Sequence, residues 1–141
     1  SEAIARNLAV MSSLKTRIVV VVSGEGGSGG ALALGVGDHI AILEYGTYSV
    51  ASPEACASIV WRESDKAPEA AEAMKVGATD LKKIGIVDEI ILEPIGGAHK
   101  DYDAISRSIK SSLITNIAEL SKFSLEELLK RRYERLLKIG A

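Results

Sequence analysis

Arg17-Ile18-Val19-Val20-Val21-Val22-Ser23-Gly24-Glu25-Gly26-Gly27-Ser28-Gly29-Gly30-Ala31-Leu32-Ala33-Leu34 is the stretch whose reading decides the fold. Its first third is β-branched and apolar without alternation. A strand of that kind is buried on both faces, which calls for a parallel or mixed sheet with helices around it. The middle is a glycine run, expected to form a loop from Gly24 to Gly30. Ala31 to Leu34 then begins a short helix, stopped by Gly35 and Gly37. Seven of the chain's 13 glycines crowd between positions 24 and 37.

Upstream, apolar residues at Ile4, Leu8, Met11 and Leu14 make a helical stripe. The chain is expected to open at the start of a helix, as a fragment would. Downstream, short strands are expected at His39 to Glu44 and Thr47 to Ala51, hinged at Gly46. Ser52-Pro53-Glu54 opens a helix running to Trp61, with Ser52 as cap and Pro53 in the first turn. Further helices are read at Asp65 to Val76 and Thr79 to Ile84, a strand at Val87 to Glu93, and a long helix from Asp103 to Leu120. Ser124-Leu125-Glu126-Glu127 is a capping box. It starts a last helix whose apolar face is Leu125, Leu128, Leu129, Tyr133, Leu136 and Leu137. Its basic residues Lys130, Arg131, Arg132, Arg135 and Lys138 are expected on a solvated face, with coenzyme phosphates or a partner subunit as the alternative. No internal repeat is evident. The class is α/β with helical excess, organised as residues 1–123 followed by an amphipathic helix over 124–141.

Composition narrows the function. The chain has 141 residues, 17 basic and 19 acidic side chains and a net charge of −2. That balance gives no electrostatic case for nucleic acid. Its longest apolar run, Ile18 to Val22, is too short for a membrane span, and no signal-peptide pattern leads the chain. The single cysteine, Cys56, cannot form an internal disulfide.

The glycine run admits two functional readings. Gly24-Glu25-Gly26-Gly27-Ser28-Gly29 satisfies GxGxxG after a strand, and Glu44 follows 20 residues beyond Gly24, which is the pattern of a dinucleotide or phosphate cradle. Against it, only eight residues separate Gly29 from Asp38, fewer than a βαβ crossover helix needs. The other reading is an oxyanion hole. Glycines leading into a helix expose backbone N–H groups that lack an intrahelical partner, and an oxygen can approach them closely. The run has more glycines than close packing of a helix on a strand requires, which favours the oxyanion hole.

Ser23 to Asp38, Tyr48 to Trp61, Asp65 to Met74, Pro94-Ile95-Gly96-Gly97-Ala98-His99 and Arg131-Arg132-Tyr133 together resemble the carboxyltransferase α subunits of acetyl-CoA carboxylase, in their C-terminal portion. The resemblance implies a crotonase-like fold, a spiral of ββα units with C-terminal helices. It also implies an enzyme subunit that moves a carboxyl group from carboxybiotin to acetyl-CoA, giving malonyl-CoA for fatty acid synthesis. The implied partners are a carboxyltransferase β subunit, in a heterotetramer, and the biotin carboxyl carrier protein. The implied setting is the bacterial cytoplasm or the plastid stroma. A glycine triplet of the superfamily aligns with Ser28-Gly29-Gly30, so the N–H of Gly29 is the expected oxyanion donor, with Gly30 beside it. Gly26, Gly27, Ser28 and Tyr48 are the expected substrate contacts. Leu32 stands where the superfamily's hydratases carry a glutamate, and leucine cannot move a proton. The family's upstream segment should supply the other half of the hole, so the chain is expected to be inactive without it and without the β subunit.

The remaining candidates read as structural. Cys56 in an Ala-rich helix without a nearby His is expected to be a buried small hydrophobe. His39 and His99 lack partners at metal-ligand spacing, and no metal is expected. Ser23 and Ser28 have no base at readable spacing. Tyr45 and Trp61 are expected to line a pocket or to pack in the core.

Overall fold

The computed structural model describes residues 2–140. Ser1, where the first helix is expected to start, and Ala141 lie outside the described residues. Helix α1 covers Glu2–Ser13, and the valine run forms β1 (Val19–Val22). Next come β2 (Glu25–Gly27) and α2 (Ser28–Leu34), then in the same order β3 (His39–Leu43), β4 (Thr47–Ser49) and α3 (Pro53–Val60). A 3-10 turn at Ser64–Lys66 leads into α4 (Ala67–Met74), followed by α5 (Ala78–Lys83), β5 (Glu89–Ile91), α6 (Tyr102–Leu120) and α7 (Leu125–Leu137).

β1, β3 and β5 make one parallel sheet in that order, and β2 pairs with β4, also parallel, in a second. Val19 lies opposite His39, and Glu25 opposite Thr47. Each round of chain therefore gives its first strand to one sheet, its second to the other, and then a helix. The repeat is one of backbone path and leaves no repeated sequence. The connection from β1 to β3 therefore consists of β2 and the seven residues of α2 together, not of a helix alone.

The fold repeats one side-chain device as well. Just before β3, Asp38 donates its N–H to the Ile18 carbonyl and accepts the Ile18 N–H on Oδ2, at 2.8 and 2.7 Å. Before β5, Asp88 does the same with Ile40, at 2.8 Å for both bonds. At the opposite ends of these strands, Glu44 accepts the Glu93 N–H, and Glu93 accepts those of Tyr45 and Ala98. The first sheet is buried on both faces, as the unbroken apolar run requires. Val20, Val22, Ile40 and Ile42 pack with Ala78, Leu81 and Val87, while Ala41, Leu43 and Ile91 pack with Ile105 of α6.

Most predicted ends hold to within two residues. The Ser52 side chain caps α3 by accepting the Ala55 N–H, and Ser124 and Glu127 form the capping box of α7. The segment read as one helix over 65–76 instead begins as a 3-10 turn and ends at Lys75, which takes the left-handed conformation (φ 52°) without needing Gly77. Gly85 closes α5 at φ 77° as expected.

The last helix corrects the sequence reading. Its buried residues are Leu128 and Arg132, while Leu125, Tyr133 and Leu137 are exposed. Arg132 is 1% exposed. Its guanidinium forms a two-bond pair with Asp38, both bonds 2.8 Å, and donates to the carbonyls of Met11, Ser12, Leu14 and Thr16. The face expected to be solvated thus contains the most heavily bonded cation among the described residues. The last turn of α1 and the segment after it bring four carbonyls together at one point, and only a guanidinium has enough donors to answer them and a carboxylate together.

Candidate functional site

The structure shortens the predicted glycine loop from both sides. Glu25–Gly27 is strand β2, and α2 begins at Ser28 instead of Ala31. Gly24 makes the turn between the two sheets, and its carbonyl accepts the Thr47 N–H at 2.9 Å. Gly26 has a packing reason to be glycine: an added Cβ would stand 2.9 Å from the Tyr48 ring and 3.3 Å from Val22. Gly35 is similar, with a Cβ position 2.9 Å from the Tyr48 hydroxyl. Gly24, Gly27 and Gly30 are different. A Cβ at any of them would meet nothing within 4 Å. A Cβ on Gly29 would make only ordinary contact with Ile4, at 3.5 Å. Tight packing therefore accounts for part of the run and leaves its centre unexplained.

Ser28 sits at that centre. It holds φ 57°, a left-handed conformation that a serine adopts at a cost. The strand-to-helix corner takes a single residue, so the backbone must reverse there abruptly. Gly29 and Gly30 follow in the first turn of α2, where N–H groups have no preceding helical carbonyl to bond. The β2–β4 register places Gly27 opposite Ser49, so Val50 (83% exposed) stands beside the corner, and Leu32 (64% exposed) lies one turn further along α2.

Tyr48, expected to contact substrate, is half-buried, and its hydroxyl donates to the Ala31 carbonyl. Burial raises its pKa above the usual tyrosine value, and the charge of Arg135 opposes that rise. Its ring lies under Gly26 and Gly35, where it fixes α2 against β2. Glu44, the ribose ligand in a dinucleotide reading, accepts the Glu93 N–H at 3.1 Å. With Gly26 inside a strand and Glu44 engaged in the sheet, the run does not have the arrangement of a dinucleotide cradle.

Sequence spacing did not connect His39 with anything. The structure sets its Nε2 3.1 Å from Glu89 Oε2, which also accepts from the Ser112 hydroxyl (2.8 Å) and the Asn116 amide (2.7 Å). Burial pushes the Glu89 carboxyl upward, but the bonds from Ser112, Asn116 and His39 outweigh it and hold the pKa below the ordinary glutamate value. This cluster fastens α6 across β3 and β5. A separate cleft of about 430 Å³ at the carboxyl ends of the parallel strands gathers Ser23, Tyr45, Glu93 and His99. Ser23 and His99, 76 residues apart, meet there only because β1 and β5 belong to one sheet. Cys56 is half-buried in α3, while Tyr45 and Trp61 are exposed. Among the described residues no group of three or more His, Cys, Asp or Glu could hold a metal, and no helix is long and apolar enough to cross a membrane.

Residues 1–140 match the family described as acetyl co-enzyme A carboxylase carboxyltransferase-like. The chain is 57% identical, over 140 residues, to the acetyl-coenzyme A carboxylase carboxyl transferase subunit alpha of Photobacterium profundum, covering 99% of this chain and 44% of that protein. Its likeness to the same subunit of Alcanivorax borkumensis is 58% identity, covering 99% of this chain and 43% of the relative. The chain thus spans less than half the length of the relatives it matches. Among solved structures, 93% of it superposes on 52% of a chain from a Pseudomonas malonate decarboxylase hetero-tetramer in complex with coenzyme A, with a TM-score of 0.75 and 15% identity. At that identity the likeness is one of fold, and the fold is crotonase-like.

Proposed function

This chain belongs to the acetyl co-enzyme A carboxylase carboxyltransferase-like family, and on that premise we propose that it is the C-terminal part of a carboxyltransferase α subunit. The observation that carries this reading is 57% identity sustained over 99% of the chain. The reaction moves a carboxyl group from carboxybiotin, the substrate carried on a biotin carboxyl carrier protein, to acetyl-CoA. The N–C bond of carboxybiotin breaks, a C–C bond forms at the acetyl methyl, and the methyl proton ends on the ureido nitrogen. Malonyl-CoA leaves toward fatty acid synthesis. Residues 1–123 form the back of the crotonase-like domain, with 124–141 as a C-terminal helix. Turnover requires the family's upstream segment and a β subunit, in a heterotetramer. The bacterial sources of the relatives support a bacterial cytoplasmic setting.

Within that reaction, the Gly29 N–H holds the ureido oxygen as it gains negative charge, with Gly30 next to it. Gly26, Gly27, Ser28 and Tyr48 shape the seat. Three features support the assignment: the unfilled space over Gly27 and Gly30, the first-turn position of Gly29, and the strained corner at Ser28. Tyr48 acts from below, by fixing α2 through the Ala31 carbonyl. A preorganised donor acts where charge develops, and removing one typically lowers the rate by about 10²–10³.

The test is carboxyl transfer from malonyl-CoA to a biotin derivative, with the upstream segment and a β subunit supplied. Gly29→Pro removes the donor and should abolish transfer. Gly29→Ala keeps the N–H and meets only Ile4, so it should fold and retain measurable transfer. Equal activity in both variants, each shown folded by circular dichroism, would place the hole elsewhere. An inactive wild-type assembly would sink the reading as a whole.

A further inference from the structure

Between α6, α7 and the entrances of β3 and β5 lies a cavity of about 430 Å³, separate from the glycine run. Arg135 lines it. Its Nη2 donates to the Ile86 carbonyl and to Asp88 Oδ2, both at 3.0 Å. Its Nε and Nη1 are buried and have no hydrogen-bond partner among the described residues. A guanidinium N–H kept from water and given no acceptor is unfavourable, and such a group calls for an acceptor that the described residues do not supply.

The surroundings indicate the kind of acceptor. Arg131 and Lys138, four residues before and three after Arg135, share its face of α7 and also line the cavity. The carboxylates there are already engaged. Asp38 faces Arg132 and the Ile18 N–H, and Asp88 faces Arg135 and the Ile40 N–H. Glu119 is held by Lys122 at 2.6 Å, and Glu134 lies 3.9 Å from Lys130. His39 is bonded to Glu89. The uncommitted charge is therefore cationic. One wall is apolar, made by Leu120, Leu128 and Phe123, with the Arg131 guanidinium 4.1 Å above the Phe123 ring.

We propose that this cavity binds a phosphate monoester, its phosphoryl group among Arg131, Arg135 and Lys138 and its organic body against Phe123 and Leu120. A dianion with three oxygens matches the Arg131 and Lys138 cations together with the two unpartnered N–H groups of Arg135 better than a carboxylate does. The apolar wall favours an ester over the free ion. The site is independent of the carboxyl-transfer reading and stands or falls without it.

The experiment is a titration of the chain at constant ionic strength with phenyl phosphate, inorganic phosphate and sodium chloride. The Arg135 Nε–H resonance is followed by NMR, and the thermal midpoint is recorded in parallel. Phenyl phosphate should move both in a saturable way, inorganic phosphate should bind more weakly, and chloride should do neither. Lys138→Ala changes an exposed residue, so it should keep the unliganded midpoint while weakening phenyl phosphate by about tenfold. Arg131→Ala should weaken it similarly. An unmoved Arg135 resonance, inorganic phosphate binding as tightly as phenyl phosphate, or unaltered affinity in both variants would overturn the proposal.

Discussion

Tyr48 decides which glycines of the run are fixed by packing. Its ring and hydroxyl occupy the space that side chains at Gly26 and Gly35 would need. Gly26→Ala should therefore lower stability by about 1–3 kcal/mol, the range for overpacking a filled site. Gly30→Ala should raise it by about 0.5–1 kcal/mol, because alanine is the better helix former and its Cβ meets nothing. Urea midpoints of the two variants check the contrast, and equal shifts would refute it. The density of glycine was legible in the sequence, and so was the expectation that packing could not explain all of it. Which glycines belong to which role was not, because that depends on an aromatic ring more than a dozen residues away. Arg132 was misread for a similar reason. Helical periodicity assigns a face, but it cannot show that Asp38 and four carbonyls lie beneath it.

At the scale of elements, the ends with local chemistry were legible: Ser52-Pro53, Gly85 and the box of Ser124 and Glu127. Glu127 is exposed, and bonds from the Ser124 backbone and side chain hold its pKa below the ordinary value. Ser124→Ala should cost about 1 kcal/mol of stability, read from the urea midpoint. β2 was not legible, since three residues of Glu-Gly-Gly carry no strand pattern and pair only because β4 lies alongside. The attachment of α6 was also hidden, because its partners come from β3 and β5. Glu89 gives that attachment a pH dependence. Its folded pKa lies below the unfolded one, so the folded chain binds fewer protons there, and the stabilisation is complete above the ordinary glutamate range. It should be lost as pH falls through that range toward the lowered folded value. The combined Ser112→Ala and Asn116→Ala variant removes two of the bonds that lower it and should flatten this part of the acid limb. An unchanged slope in urea midpoints across the acid range would show that Glu89 does not govern it.

Across the whole molecule, the two aspartates that open β3 and β5 are also the two that meet α7. Asp38 faces Arg132 and Asp88 faces Arg135, one helical turn apart on α7, so a single helix spans two successive rounds of the ββα path. Arg132 further joins the last turn of α1 and the segment after it to the far end of the chain, over sequence separations of up to 121 residues. A division into residues 1–123 and a separate helix is therefore not a division between independent units of stability. Arg132→Ala leaves Asp38 buried without its cation, and breaking such a pair costs about 3–5 kcal/mol. Removing 124–141 should do more, because Asp38, Asp88 and the carbonyls at and after the end of α1 lose their guanidinium donors together. The expected outcome is that residues 1–123 alone show no cooperative thermal transition by circular dichroism. Arg132→Ala should still unfold cooperatively, at a lower midpoint. A truncated chain that melts within a few degrees of the intact one would show that α7 is an appendage, and that the aspartates are adequately held by the backbone amides of Ile18 and Ile40.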